Sequence, residues 1–161
     1  TAREYVYHLF APDGDVERAR VAAEALSGRH DFHNLTPDET GTVRNLSVGV
    51  VRDGDYLVVT FRAGGFARHL VRRAVSLVSA VAADEAGRER VERVLGSESI
   101  EGPAGVASAP AHPLVLTDVA YDVAFERDER AAREAARVFE ARHAEYATRT
   151  RVAAAVRDGI E

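Results

Sequence analysis

The chain has 161 residues, 46% of them apolar, and carries a formal net charge of −5. That length is enough for one domain with a buried core. The chain contains no run of about 18 apolar residues, the length that a membrane-spanning helix needs. Because cysteine is absent, disulfides, thiolate nucleophiles and cysteine-bound zinc are excluded. The surplus of acid disfavours a nucleic-acid partner unless the basic residues are concentrated in one place.

Targeting signals and the choice of basic residue give further expectations. Residues 1–30 lack the charged and then apolar pattern of a secretory signal, so we expect a cytoplasmic protein. No methionine is present, and we therefore expect the chain to be part of a longer protein. All 21 basic residues are arginine, a usage that fits adaptation to high salt and a GC-rich genome equally well.

The first segment of the chain predicts a strand followed by a helix. Residues 3–10 alternate aromatic and branched side chains, a period of two that is typical of a strand covered on both faces. A turn at 12–14 follows, and Asp15 can cap a helix whose apolar residues run from Val16 to Leu26. We expect that helix to end at Gly28 and a short structured turn to follow it.

Residues 43–63 predict a β-hairpin. Apolar residues alternate on both arms, at positions 46, 48 and 50 and again at 57, 59 and 61. Asp53 and Gly54 lie between the arms, and this pair is expected to supply the positive φ angles of a tight turn.

Two helices, a loop and a strand are predicted next. Gly64 and Gly65 precede a helix over residues 66–83 with an apolar stripe, and a short helix follows over 87–95. Residues 97–113 form a loop long enough to be functional, and residues 114–123 form a last strand.

From Glu126 onward the chain is rich in alanine, arginine and glutamate, with opposite charges four residues apart, which favours a solvated helix. Strands and helices in this order predict an α+β fold, an antiparallel sheet with helices packed on one face. We expect residues 1–125 to form the domain and residues 126–161 a helical C-terminal extension.

The basic stretch at residues 68–73 is the main candidate for a functional surface, because it is the only dense basic cluster in an acidic chain. On the predicted helix, Arg68 and Arg72 lie about 40° apart, an arrangement that suits a carboxylate or a phosphate. A solvated helix face explains the same pattern without any function. Tyr5, on the first strand, could stack on an unpaired base or could simply pack in the core.

Other motifs are weaker. His30, Asp31 and His33 lack the further ligands of a zinc site, and no metal is expected there. No glycine-rich phosphate loop is present, and neither Ser47 nor Ser76 lies in a nucleophile elbow. The residues alone therefore predict an α+β domain with one basic helix.

Five segments, spread in order from Arg3 to Leu116, carry a common family pattern. Together they resemble the tRNA pseudouridine synthase A family, and their order is hard to obtain by chance. The segments are Arg3–Tyr7 for R-x-Y-x-Y, Leu26–Phe32 for L-x-G-x-H-D-F, Arg44–Leu46 for R-x-I/V, Gly65–Arg72 for G-F-x-x-H/R-M-V-R, and Ala109–Leu116 for A-P-A-x-G-L-x-L.

The resemblance implies an enzyme that isomerises uridine to pseudouridine in the anticodon stem-loop of tRNA, with no cofactor and no metal. In the family an aspartate detaches the base from its sugar, the base turns, and its C5 is rejoined to the sugar carbon. A base inside a stem has to be extruded first, which requires an aromatic platform and a surface that holds phosphates.

The resemblance also assigns site residues. Tyr5 matches the tyrosine that packs on the target base and is implicated in proton removal at C5, and stacking is the better supported of these two roles. Arg72 matches the arginine that pairs with the catalytic aspartate and keeps it ionised. Leu114 and Phe66 are assigned to the substrate pocket. Residues expected to contact RNA are Arg68, His69 and Arg73.

Two departures from the family pattern limit the transfer. Pro113 replaces the usual glycine before the last strand, so the loop backbone differs there. The aspartate motif G-R-T-D-A-G-V-H is absent, and residues 28–31 imitate only its first four letters. Phe32 after Asp31 fits the H-D-F element instead, and we therefore reject Asp31 as the nucleophile.

The family fold joins two similar ferredoxin-like halves, and the resemblance places this chain in the second half. We expect it to fold but to be inactive alone, and the whole protein to be a homodimer. Two alternatives remain open at this point: a stand-alone RNA-binding or assembly module without catalysis, and a small-ligand-binding α+β domain.

Overall fold

A computed structural model describes residues 2–100 and 102–160 and contains one five-stranded antiparallel sheet. The strands lie in the order β2-β3-β4-β1-β5, so β2 and β5 form the edges. The elements are β1 (Ala2–Phe10), α1 (Val16–Leu26), β2 (Gly28–Asp31), β3 (Val43–Asp53), β4 (Tyr56–Ala63), α2 (Leu70–Ala82), α3 (Arg88–Val94), β5 (Leu114–Ala120) and α4 (Glu129–Asp158).

The chain divides into two compact units. Thr1–Asp122 contains the sheet and the first three helices, and Val123–Glu161 contains α4. The predicted boundary at residue 125 falls close to this division. No helix among the described residues has the length and apolar character needed to cross a membrane.

The core of the first unit lies between the sheet and α1 and α2. In β4 the residues Leu57, Val59 and Phe61 are fully buried, and the residues between them are at least partly exposed. Helix α2 buries eight of its 13 residues in the same core. A sheet covered by helices on one face confirms the predicted α+β class.

The region around α1 holds one confirmed and one wrong prediction. The Asp15 carboxylate caps α1 by accepting hydrogen bonds from the backbone N–H groups of Glu17 and Arg18 at 2.8 and 3.1 Å. The turn predicted after the helix is wrong, because residues 28–31 form the edge strand β2. Such a short strand carries no apolar alternation, and only its pairing with β3 reveals it.

The predicted hairpin is present as β3 and β4, but its turn is shifted by one residue. Asp53 still belongs to β3 and pairs with Tyr56, so Gly54 and Asp55 form the two-residue loop. Gly54 has a φ of 55°, whereas Asp53 has no positive φ. Only one of the two predicted positive φ angles is therefore present.

The start of α2 differs from the prediction in a way that changes the site. The helix begins at Leu70 instead of residue 66, because His69 adopts a left-handed conformation with a φ of 65°. A residue in that conformation cannot continue a right-handed helix. Arg68 therefore lies in a turn before the helix, and the predicted helical pairing of Arg68 with Arg72 is wrong.

The later elements follow the prediction closely. Helix α3 lies within the predicted range, and β5 begins at Leu114 and ends three residues earlier than expected. Apart from a 3₁₀ turn at Gly102–Ala104, the described residues of the long loop have no regular structure.

Candidate active site

A cavity of about 280 Å³ lies between the start of β1, the turn before α2 and the start of β5. Its volume is near the lower end of small-molecule sites, which run from roughly 300 to 1,000 Å³. Six of the seven residues predicted for the site line this cavity. The lining residues are Arg3, Tyr5, Phe66, Ala67, Arg68, His69, Leu70, Val71, Arg72 and Leu114.

The apolar part of the cavity is built around the ring of Tyr5. This ring meets the ring of Phe66 edge to face, with centroids 5.2 Å apart and planes at 84°. The pairing of β1 with β5 shifts register between Glu4 and Tyr5, an irregularity of the kind that redirects side chains at a strand end. Leu114, the first residue of β5, supplies a second apolar wall.

Arg72 is anchored to the loop before β5. Its Nε donates a hydrogen bond to the carbonyl of Ala109, and the Ala109 N–H donates to the carbonyl of Arg72 at 3.1 Å. With Nε engaged, the two Nη groups form the edge of the guanidinium that remains for a ligand. Two parallel N–H groups suit a carboxylate, which accepts them in bidentate fashion.

Arg68 is held by a carboxylate that the sequence did not point to. Asp38 accepts a hydrogen bond from the Arg68 backbone N–H at 2.8 Å and forms a salt bridge with Arg68 Nε at 3.3 Å. The backbone bond, followed by the hydroxyl of Thr36 and the charge of Arg68, holds the pKa of Asp38 below its ordinary value. Beside this pair, His69 Nδ1 lies 3.2 Å from Ser108 Oγ.

Arg73 faces a different part of the molecule from Arg72, although the two residues are adjacent. It lines a second cavity, of about 420 Å³, together with Asn34 and Ile100. Its Nε is buried and has no hydrogen-bond partner among the described residues. The structure therefore does not bring Arg73 together with the other predicted site residues.

The charge of the first cavity is one-sided. Arg3, Arg68 and Arg72 line it, the start of α2 contributes partial positive charge, and none of its lining residues is acidic. Asp31 lies on β2, at the sheet edge opposite β5. The cavity can therefore hold an anion and a planar ring, but its own walls carry no carboxylate nucleophile.

A larger cavity, of about 650 Å³, lies between α2 and α3. Its walls include two glutamates and two arginines but no aromatic ring and none of the predicted site residues. It lacks the combination of a stacking surface and a basic lining without acidic residues that distinguishes the cavity at Tyr5. Within the described part of the chain, no three His, Asp or Glu side chains are grouped as metal ligands would be.

Sequence reasoning missed two parts of the site. Asp38 lies in a loop without periodicity, 30 residues before Arg68, and no local pattern links the two. The hydroxyl of Tyr7 donates a hydrogen bond to the carbonyl of Pro110 at 3.0 Å, across 103 residues of chain. The second tyrosine of the R-x-Y-x-Y segment was the only available signal for this contact.

The fold and the cavity define an α+β domain suited to an anionic ligand that contains a planar ring. The profile of the family described as tRNA pseudouridine synthase matches residues 22–122, and the chain belongs to this family. Of the predicted site residues, Tyr5 alone lies outside the matched range. The resemblance found in the sequence is thereby confirmed.

Individual relatives agree with the family match. The chain is 51% identical to tRNA pseudouridine synthase A of Haloarcula marismortui, in an alignment that covers 98% of the chain and 61% of the relative. The same-named proteins of Halobacterium salinarum and Natronomonas pharaonis are 50% and 49% identical, over 94% and 97% of the chain and 58% and 60% of the relatives. The chain thus spans about three fifths of the length of these relatives.

Proposed function

We propose that the whole protein isomerises uridine to pseudouridine in the anticodon stem-loop of tRNA. This chain contributes Arg72, Tyr5 and the apolar pocket, and the nucleophilic aspartate belongs to a part of the protein outside these 161 residues. The observation that carries the proposal is a cavity with an anchored arginine, an aromatic ring and no carboxylate.

The reaction places three requirements on the site. The bond between N1 of the base and C1′ of the sugar breaks, a bond between C5 and C1′ forms, and the proton leaves C5 while N1 gains one. The site has to hold an ionised carboxylate near C1′, keep the detached base in place while it turns, and grip the surrounding RNA.

Arg72 meets the first requirement. A guanidinium beside a carboxylate favours the ionised form, which is the nucleophilic one. Because Nε is already bound to Ala109, the aspartate would be held end-on through the two Nη groups.

Tyr5, Phe66 and Leu114 meet the second requirement. Rings and a branched side chain around a cavity of this size offer a base faces on which to stack while its bond to the sugar is broken. Stacking discriminates little between orientations, which suits a base that has to turn within the site.

The third requirement, contact with tRNA phosphates, falls to Arg68, His69 and Arg73. Arg68 already has an anionic partner, so a phosphate would replace the side-chain contact with Asp38. Arg73 would act from the second cavity, away from the reacting base. The homodimer and the cytoplasmic location expected from the family resemblance remain predictions.

The role of Arg72 is tested in the full-length protein by release of tritium from tRNA labelled at uridine C5. We expect Arg72→Ala to abolish turnover. Arg72→Lys should restore little of it, because lysine keeps the positive charge but lacks the two parallel N–H groups of the guanidinium. Arg88→Ala, on the exposed side of α3, is the matched control and should turn over normally. Near-normal turnover by Arg72→Ala would remove the assignment.

The absence of the nucleophile from this chain is tested by assaying the 161 residues alone. They should fold, as judged by cooperative unfolding, and release no tritium from the same tRNA. Pseudouridine formation by the purified chain would overturn the proposal that the aspartate lies elsewhere.

The RNA-binding role of Arg73 is tested by measuring tRNA affinity at several salt concentrations. Arg73→Ala should reduce the slope of log K against log salt by about one, with kcat unchanged, because one phosphate contact is lost. Arg73→Lys should restore the slope, and an unchanged slope in Arg73→Ala would contradict the contact.

A further inference from the structure

The loop segment 108–113 is fastened to the sheet and to α2 at several points close to the candidate site. The Arg72 contacts hold Ala109, and the Tyr7 hydroxyl holds the next carbonyl, that of Pro110. Further along, the His8 backbone N–H donates to the Pro113 carbonyl at 3.1 Å. The guanidinium of Arg72 is thus anchored on a piece of loop that is itself anchored on β1.

Tyr7 is an unusual anchor because it belongs to the core. Its side chain is 2% exposed, and among the fully buried residues it is one of the largest. A buried hydroxyl needs a hydrogen-bond partner, and Pro110 provides it. Burial raises the pKa of the Tyr7 phenol, and the nearby charge of Arg72 lowers it by less, so the hydroxyl remains a neutral donor.

The two anchored carbonyls belong to consecutive residues. If the Pro110 carbonyl loses its donor, the peptide unit that joins Pro110 to Ala111 is no longer held. Because the proline ring fixes the φ angle between this unit and the preceding one, a shift of the first is passed to the Ala109 carbonyl. That carbonyl accepts the Nε bond of Arg72, so the orientation of the guanidinium follows the orientation of the loop. Proline at position 110 cannot form a backbone N–H bond of its own to hold the peptide.

From this arrangement we propose that Tyr7 is a positioning residue for Arg72. Its hydroxyl holds the loop through Pro110, the loop holds the guanidinium through Ala109, and the two Nη groups are thereby aimed at the position of the aspartate. The inference rests on the proposed function, in which Arg72 orients the nucleophile.

The experiment compares Tyr7→Phe with the unaltered full-length protein. Loss of one hydroxyl should lower kcat by roughly tenfold to a hundredfold, since small misplacements of a catalytic group are costly. KM for tRNA should stay within about twofold, because no RNA contact is removed. Tyr56→Phe, at an exposed position beside the hairpin turn, is the matched control and should leave both values unchanged.

A second measurement separates positioning from a general loss of stability. Hydrogen exchange followed by mass spectrometry should show faster exchange in the peptide that covers residues 105–112, because the Ala109 amide loses its bond to Arg72. Exchange in the paired strands β3 and β4 should be unchanged. Faster exchange throughout the domain, or a parallel rise of KM, would identify a merely structural role and overturn the proposal.

A second variant keeps the test valid if Tyr7→Phe does not fold. Pro110 is exposed, and Pro110→Gly loosens the same peptide without disturbing the buried ring. It should produce the same fall in kcat with KM unchanged. If Tyr7→Phe or Pro110→Gly folds and has a normal kcat while Arg72→Ala is inactive, the positioning role of Tyr7 is overturned and the proposed function stands. If Arg72→Ala turns over normally, the proposed function itself is overturned.

Discussion

Helices α2 and α4 are held in their conformations by different forces. Helix α2 has 13 residues and buries eight of them, whereas α4 has 30 residues and buries none. The N-terminus of α2 has no side-chain cap, and α4 is capped by Asp128 and carries an ion pair between Glu145 and Arg149 at 2.6 Å. Packing therefore stabilises α2, and local interactions stabilise α4.

The comparison matters for function because the candidate site is built on the packed helix. Arg72 lies in the first turn of α2, and its direction depends on how that helix is seated on the sheet and on the loop that it contacts. A helix stabilised only by local interactions can change its surroundings without changing its conformation. Substitutions in the two helices should therefore have different consequences.

The largest difference is expected for matched valine substitutions. Val78→Ala removes two fully buried methyl groups and should lower the free energy of unfolding by about 2 kcal/mol, from lost burial and the cavity left behind. Val152→Ala, at an exposed position of α4, should instead stabilise the helix by a few tenths of a kcal/mol, since alanine is the better helix former. Urea unfolding followed by circular dichroism measures both, and equal losses would refute the contrast.

The aspartate N-caps of α1 and α4 test the same contrast between the packed domain and α4, with a smaller expected loss of stability. Asp15→Ala and Asp128→Ala each remove hydrogen bonds to two backbone N–H groups, a loss of about 1 kcal/mol. Because α1 belongs to the packed domain, the first variant should lower the midpoint of the domain's unfolding. The second should reduce only the helical signal of α4, and a shift of the domain midpoint would show that the two units are coupled.

A still smaller effect is expected for the contact between Asp38 and Arg68. The pKa of Asp38 is lowered in the folded protein, so its carboxylate stabilises the fold above its ordinary pKa, and this contribution is lost as the pH falls through the lowered value. Asp38→Asn should melt below the unaltered protein at pH 7, and the difference should shrink on acidification. The exposed Glu39→Gln serves as the control, and a difference that is constant with pH would contradict the assignment.

The smallest effect is expected in α4. Glu145→Gln removes one exposed ion pair four residues apart and should cost about 0.3 kcal/mol of helix stability. The loss should disappear in about 1 M salt, where such pairs are screened. Circular dichroism at low and high salt tests this, and a loss that persists in high salt would point to a tertiary contact instead.

The same contrast between local interactions and tertiary packing decides which parts of the candidate site could be predicted from the sequence. The residues alone indicated a basic cluster, and the family pattern was needed to select Tyr5 and Arg72 as candidate site residues. The turn that takes Arg68 off the helix could not be foreseen, because a left-handed His69 is rare and has no sequence pattern. Helix periodicity turns Arg73 about 100° away from Arg72, but the second cavity beside Arg73 was visible only in the tertiary structure.

By itself the sequence determined the elements whose causes are local. The hairpin, the cap at Asp15 and the charged helix from Glu126 could be predicted because their stabilising residues lie within a few positions of one another. Only the tertiary structure decided where α2 begins, that β2 is a strand, and that Tyr7 and Arg72 hold the same loop. These features depend on contacts between residues 12 to 103 positions apart, which no local pattern records because folding alone brings the partners together.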